Sequence, residues 1–192
     1  MKSYSAYFVC NDNIEMLQKH FGKKVEIVEN SSWIMCAYYP GDEPPDDEVL
    51  YGETSLTETL SNTLGEMIFL YGDTSTDSFV YEHSHQGVLL RKLVYFPLVD
   101  DDWNPGWICV QGTAEKWENE ILFTPENLSY IIEQEKWIYE DNDQVDQFAE
   151  REAEIRRIWE NFEINSGSTI PRCDGTVAIA VEKYFGINRW PA

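Results

Sequence analysis

Apolar and polar residues alternate in short runs through the first 112 positions, then recur at three- and four-residue spacings to the end of the chain. The first pattern is that of half-buried strands and the second that of amphipathic helices. Ser3 to Cys10 reads as a strand. Asn11-Asp12-Asn13 then offers N-caps to a helix carrying Ile14, Leu17 and Phe21 on one face, closed by Gly22. Lys23 to Glu29 and Ser32 to Tyr39 read as strands joined through Asn30-Ser31. Gly41 to Glu48 holds two prolines and five acids and is expected to be a loop. Leu56, Leu60 and Leu64 share one face of a helix from Ser55 to Leu64, and Glu66 to Tyr71 is a strongly apolar strand. The clearest hairpin joins Ser78 to Ser84 with Val88 to Phe96, Gly87 supplying the positive φ of the turn. If Gln86-Gly87 is a two-residue turn, Glu82 faces Arg91 across the hairpin. Gly106 to Gly112 is one more strand.

After residue 112 the period lengthens. A short helix within Thr113 to Phe123 aligns Trp117 with Ile121. Thr124-Pro125-Glu126 opens the next helix with an N-cap hydroxyl, a proline at the first position and an acid at the positive end of the dipole, and that helix is expected to reach about Trp137. Asp143 caps a further helix with Val145, Phe148, Ile155, Trp159 and Phe162 on one face, broken at Ser166-Gly167-Ser168. Thr176 to Phe185 fits a helix, and its Val177-Ile179-Val181 alternation also fits a strand. Strands first and helices afterwards predict an α+β fold: one domain over residues 1–192, strand-rich at 1–112 and helix-rich at 113–192. Its sheet is mainly antiparallel, with the helices packed on one face.

Composition narrows the class. The chain has 192 residues, 43% of them hydrophobic and 14% aromatic, enough to bury a core and too aromatic for a disordered acidic protein. The beginning of the chain lacks the apolar run of a signal peptide, and no stretch approaches the ~20 apolar residues that span a bilayer, so a cytoplasmic protein is expected. Cys10, Cys36, Cys109 and Cys173 form no Cys-x-x-Cys pair and read as free thiols. Charge changes the picture most. Lys and Arg number 14 against 35 Asp and Glu, a net of -21. Such a surface repels phosphate backbones and anionic lipid, which argues against direct nucleic-acid and membrane binding, and it attracts basic partners through a salt-sensitive field.

Candidate chemistry is sparse. Glu82, His83 and His85 stand close together, and two histidines at i and i+2 share a strand face, which makes His83 and His85 the weak metal candidates. A zinc site would need further ligands from elsewhere, and His20 is the only other histidine; no metal or cofactor is expected. Asp100, Asp101 and Asp102 lack the spacing of a calcium loop. Cys173, between Arg172 and Asp174, is a possible nucleophile only if the fold brings it a histidine. The aromatic groups Trp103, Trp107 and Trp117, and Trp33, Tyr38 and Tyr39, serve either as core or as a contact patch.

The segment from Tyr81 to Phe123 carries Gly87-Val88-Leu89-Leu90-Arg91-Lys92-Leu93, Trp107, Val110-Gln111-Gly112 and Glu115-Lys116-Trp117-Glu118. Over these residues the chain resembles uncharacterised hypothetical proteins of cyanobacteria and myxobacteria. The resemblance implies a bacterial cytoplasmic origin and no particular activity.

The leading expectation is therefore a non-catalytic acidic domain that binds another protein, an immunity or antitoxin protein facing a basic nuclease being its sharpest form. The expected contacts are Asp42, Glu43, Asp46, Asp47, Glu48, Asp100, Asp101 and Asp102, with Trp103 and Trp107 as aromatic contacts. A small enzyme or ligand-binding domain with an aromatic cleft is one alternative. A nucleic-acid mimic built on the acidic helices from Glu126 to Glu163 is the other, weakened by the interspersed Arg151, Arg156 and Arg157.

Overall fold

A strand that is apolar on both sides must be covered on both sides, and Met67 to Tyr71 is such a strand. The computed structural model, which describes residues 3–97 and 105–187, answers this with helices on either face of a single sheet. The strands are β1 (Ser3–Cys10), β2 (Val25–Ile27), β3 (Ile34–Pro40), β4 (Glu66–Asp73), β5 (Ser78–His85), β6 (Val88–Pro97) and β7 (Pro105–Gly112). They lie in the order β2-β3-β1-β4-β5-β6-β7, and every neighbouring pair is antiparallel. The helices are α1 (Ile14–Phe21), α2 (Asp47–Leu50), α3 (Glu58–Leu64), α4 (Lys116–Ile121), α5 (Pro125–Asp141), α6 (Val145–Asn161) and α7 (Gly175–Tyr184). The α+β class and antiparallel sheet expected from the sequence are present.

The principal core lies between the sheet and the four C-terminal helices. Phe8, Ile68, Leu70, Phe79, Tyr81, Leu93, Tyr95 and Trp107 pack there against Trp117, Ile131, Ile155, Trp159 and Val181. The opposite face is covered by the three short helices of the first half, where the sequence pattern placed helices on one face only. Leu17 and Leu64 pack on Val9, Cys36 and Met67, and Leu50 packs on Phe69, Tyr71, Val80 and Val94. α2 takes up Asp47 and Glu48, the end of the expected loop, with Asp46 at its N-cap position.

The β5–β6 hairpin turns through Gln86 and Gly87, both with positive φ, and pairs His85 with Val88 and Ser84 with Leu89. It then takes a bulge: His83 faces Arg91 and Glu82 faces Lys92, leaving Leu90 as the extra residue. The expected Glu82–Arg91 pair is thereby replaced, because the one-residue slip turns Arg91 to the C-terminal-helix face and Lys92 to the other. Gly112, at positive φ, lies against the bulge, where a Cβ would collide with the Leu90 carbonyl.

α7 settles the ambiguity at 176–185 in favour of helix. The Asp174 side chain accepts from the Thr176 N–H as N-cap, and Gly175, Ala178, Val181 and Glu182 form the buried face. Gly175 lies so close to β4 that a Cβ would come within 2.6–2.7 Å of the Asp73 and Thr74 backbone. At the other edge of the sheet the Trp107 N–H donates to the Ser168 carbonyl (2.8 Å), and the Gly167 N–H donates to the Trp107 carbonyl (2.7 Å).

Candidate functional site

α5 begins where its sequence says it should, the Thr124 hydroxyl accepting from the Asn127 N–H with Pro125 in the first turn. It continues past Trp137 to Asp141, and a three-residue link leads into α6. Tyr139 stacks edge-on against Phe148, Arg151 reaches Glu135, and the Trp159 indole donates to the Thr124 carbonyl. These contacts make the pair an antiparallel hairpin, seated on the sheet through Ile131, Ile155 and Trp159.

From 124 to 163 this hairpin carries twelve acids against four bases. Each base is held by a carboxylate of the hairpin itself or its C-terminal flank. Lys136 pairs with Glu140, Arg151 with Glu135 and Glu154, Arg156 with Glu152, and Arg157 with Glu163. Glu126, Glu133, Asp141, Asp143, Asp146, Glu150 and Glu160 are exposed and take part in no ion pair among the described residues. Along α5 one exposed stripe reads Glu126, Tyr130, Glu133, Trp137, Asp141, at spacings of four, three, four and four. Trp137 is 63% exposed and Tyr130 54%. Carboxylates alternating with open aromatic faces form a surface that attracts ammonium and guanidinium groups, by charge and by cation–π contact.

Beside this stripe α5 and α7 stand apart and leave a groove of about 630 Å³. Its floor is Tyr95, Leu122, Ile131 and Cys173; Tyr130 and Ile138 form one wall, and Val177 and Ala180 the other. Asp77, Glu135 and Asp174 line it with a single cation, Arg172. The volume is that of an ordinary ligand or side-chain pocket. Burial, with the charge of Asp174 next, pushes the Cys173 thiol well above its ordinary pKa. It is therefore held protonated, the reverse of what a nucleophilic cysteine requires.

Two polar clusters lie inside the molecule. On the α1–α3 face, Glu82 and Lys92 are each 0% exposed and meet at 2.7 Å. The second Glu82 oxygen accepts from the Ser55 hydroxyl, the Leu56 and Thr57 N–H groups and the Thr57 hydroxyl, and Lys92 donates to the Thr54 carbonyl. This explains why α3 starts at Glu58 and not at Ser55: the three residues before it wrap a carboxylate supplied by the sheet. On the other face His83 is clamped between Glu115 at Nδ1 (2.6 Å) and Glu66 at Nε2 (3.0 Å). Tyr81 and Trp117 also donate to Glu115, and Arg91 forms a two-pronged pair with Glu118. Burial works to lower the His83 pKa, but hydrogen bonds and charge from Glu115 and then Glu66 outweigh it and raise the pKa above the ordinary value. When protonated, this imidazole donates to a carboxylate from each nitrogen and offers no lone pair to a metal. This cluster fastens α4 to the sheet, and among the described residues no group of three or more His, Cys, Asp or Glu is arranged to hold a metal ion.

The residues expected as contacts are scattered. Glu43, Asp46, Asp47 and Glu48 are exposed around α2, on the side of the sheet opposite the α5–α6 hairpin. Asp42 is half-buried and accepts from the Ser5 hydroxyl. Asp100, Asp101, Asp102 and Trp103 lie outside the described residues. Trp107 is corrected from contact to core: it is 0% exposed, its ring lies edge-on to Tyr95 and its indole donates to the Pro171 carbonyl. Tyr130 and Trp137 were not anticipated, although their seven-residue spacing among acids was present in the sequence. His85 stands at the hairpin end, half-buried. Comparisons with protein-family models, curated proteins and solved structures give no match to this chain.

Proposed function

We propose that this chain is a non-catalytic acidic domain that captures a basic protein, with the exposed stripe of α5 as its contact surface. The observation that carries this reading is the alternation Glu126, Tyr130, Glu133, Trp137, Asp141 on one exposed face, in a hairpin whose own bases are already occupied. A partner bringing Lys and Arg side chains finds carboxylates to pair with and aromatic faces to lie on, and the net charge of -21 speeds its approach. An immunity or antitoxin role against a basic nuclease fits this chemistry, as does a place in the uncharacterised bacterial family that residues 81–123 resemble.

The test is capture from host lysate at low and moderate salt, with wild type beside Glu126→Gln/Glu133→Gln/Asp141→Asn and beside Trp137→Ala. The expected result is a basic protein released by salt and lost with both variants. Trp137→Ala should leave stability within about 0.5 kcal/mol, as for other surface changes. Capture indifferent to salt and to both variants would remove the reading. Nucleic-acid mimicry gains from the neutralisation of Arg151, Arg156 and Arg157 within the hairpin; competition with DNA for a DNA-binding protein is its test. The two protruding aromatics interrupt any phosphate-like face and favour the first reading.

A further inference from the structure

The groove between α5 and α7 has an apolar floor, and it adjoins the acidic α5 stripe at a shared residue, Tyr130. We propose that it is the anchor site for a basic amphipathic helix of the partner. One bulky apolar side chain of that helix would enter between Ile138 and Ala180, while its Lys or Arg residues face Glu133 and Trp137 of the stripe. This rests on the protein-binding reading above and adds to it the shape of the segment recognised.

Three observations define the occupant. The lining residues of α5 run from Asn127 to Ile138, about three turns of helix, so the groove is long in one direction, as a helix requires. The floor is uncharged, and the one thiol in it, Cys173, is held neutral by burial, so the entering group must be apolar. Of the charged lining groups, Glu135 is held by Arg151 and Asp174 caps α7, leaving Asp77 and Arg172 to balance at the mouth while the acids of the stripe lie beyond. An acidic helix would meet those acids and be repelled. The amphipathic helix in a groove is a recurrent mode of peptide recognition, read through anchors at i, i+3, i+4 and i+7.

The experiment uses the full chain and three synthetic helical peptides: one of Leu and Lys with Leu at i, i+3, i+4 and i+7, one with Ser in place of Leu, and one with Glu in place of Lys. Binding is measured by calorimetry at low salt. The Leu/Lys peptide should bind wild type about tenfold or more tightly than the Ser/Lys peptide, with no binding of the Leu/Glu peptide. Ala180→Trp places a bulky ring where the apolar anchor is to enter, without altering charge, and should abolish that tenfold advantage, leaving the weaker Ser/Lys binding as it was. Tyr130→Ala, at an exposed residue shared by groove and stripe, should weaken both basic peptides, the Leu/Lys peptide more, and circular dichroism shows that each variant is folded. Equal binding of the Leu/Lys peptide to wild type and both folded variants would overturn the groove while leaving the electrostatic reading in place. Failure of both basic peptides to bind wild type would overturn both. Binding of the Leu/Glu peptide as tight as that of the Leu/Lys peptide would overturn the assignment of a basic occupant.

Discussion

His83 is the residue whose surroundings have the plainest thermodynamic consequence. Its folded pKa is raised by Glu115 and Glu66 despite burial, so the folded state binds its proton more tightly than the unfolded chain does. The stabilisation is fully present below the unfolded value, about 6.5, and disappears as pH rises through the higher folded value. Urea unfolding at about pH 6 and about pH 9 should therefore show wild type losing more stability than His83→Gln over that interval; parallel losses would remove the argument. Lys92 makes a different prediction. Lys92→Met leaves Glu82 charged and buried without its counter-ion and should cost about 3–5 kcal/mol, whereas Glu82→Gln/Lys92→Met should cost clearly less. Equal costs, read from urea midpoints, would show that the pair itself is not the source. At this scale the sequence was least legible. Trp107 and Trp137 are the same residue type, each followed by an isoleucine, yet one is core and the other open, since burial is decided by what the rest of the chain lays on top. Likewise Glu82 and His83 were visible as neighbours, but not that a bulge across the hairpin sets Lys92, and not Arg91, opposite Glu82.

Elements were far more legible, because period and caps are local. The Asn13 and Thr124 side chains each cap the helix that follows, and the Gln86-Gly87 turn stands where expected; Asp143, expected to cap α6, stands one residue before its N-cap position, Gln144, which makes no side-chain cap bond. The differences are instructive. α3 is shortened by the Glu82 carboxylate, a tertiary partner that no local pattern contains. β2 keeps only Val25–Ile27 of the expected strand from 23 to 29. Val145, expected on the buried face of α6, is exposed, because its end of the helix lies beyond the sheet-packing residues from Ile155 onward. The close seating of α7 on β4 yields a prediction at this scale. Gly175→Val places a side chain 2.6–2.7 Å from the Asp73 and Thr74 backbone, which cannot yield as a flexible side chain does. A loss of about 1–3 kcal/mol or more is expected from thermal unfolding. An unchanged melting temperature would mean that α7 is free to shift away from the sheet.

Across the whole molecule, like charges repel one another more than opposite charges attract. A net charge of -21 opposes compaction, and salt screens it. The melting temperature should rise by several degrees between about 0.01 and 0.5 M sodium chloride, the same change that weakens binding of a basic partner. A flat or falling melting temperature would show that the ion pairs of α5 and α6 outweigh the excess acids. The charge was plain in the sequence; its division between a neutralised framework and an exposed stripe was not, since it depends on which carboxylate each arginine reaches. The two ends of the sheet carry a further consequence. β2 offers only three residues at one end, and at the other the Trp107 amide and carbonyl are engaged by the 167–168 segment. A foreign strand seeking a template among the described residues finds one end only three residues long and the other interrupted at Trp107, so growth by strand addition, the route to fibrils, is hindered at both.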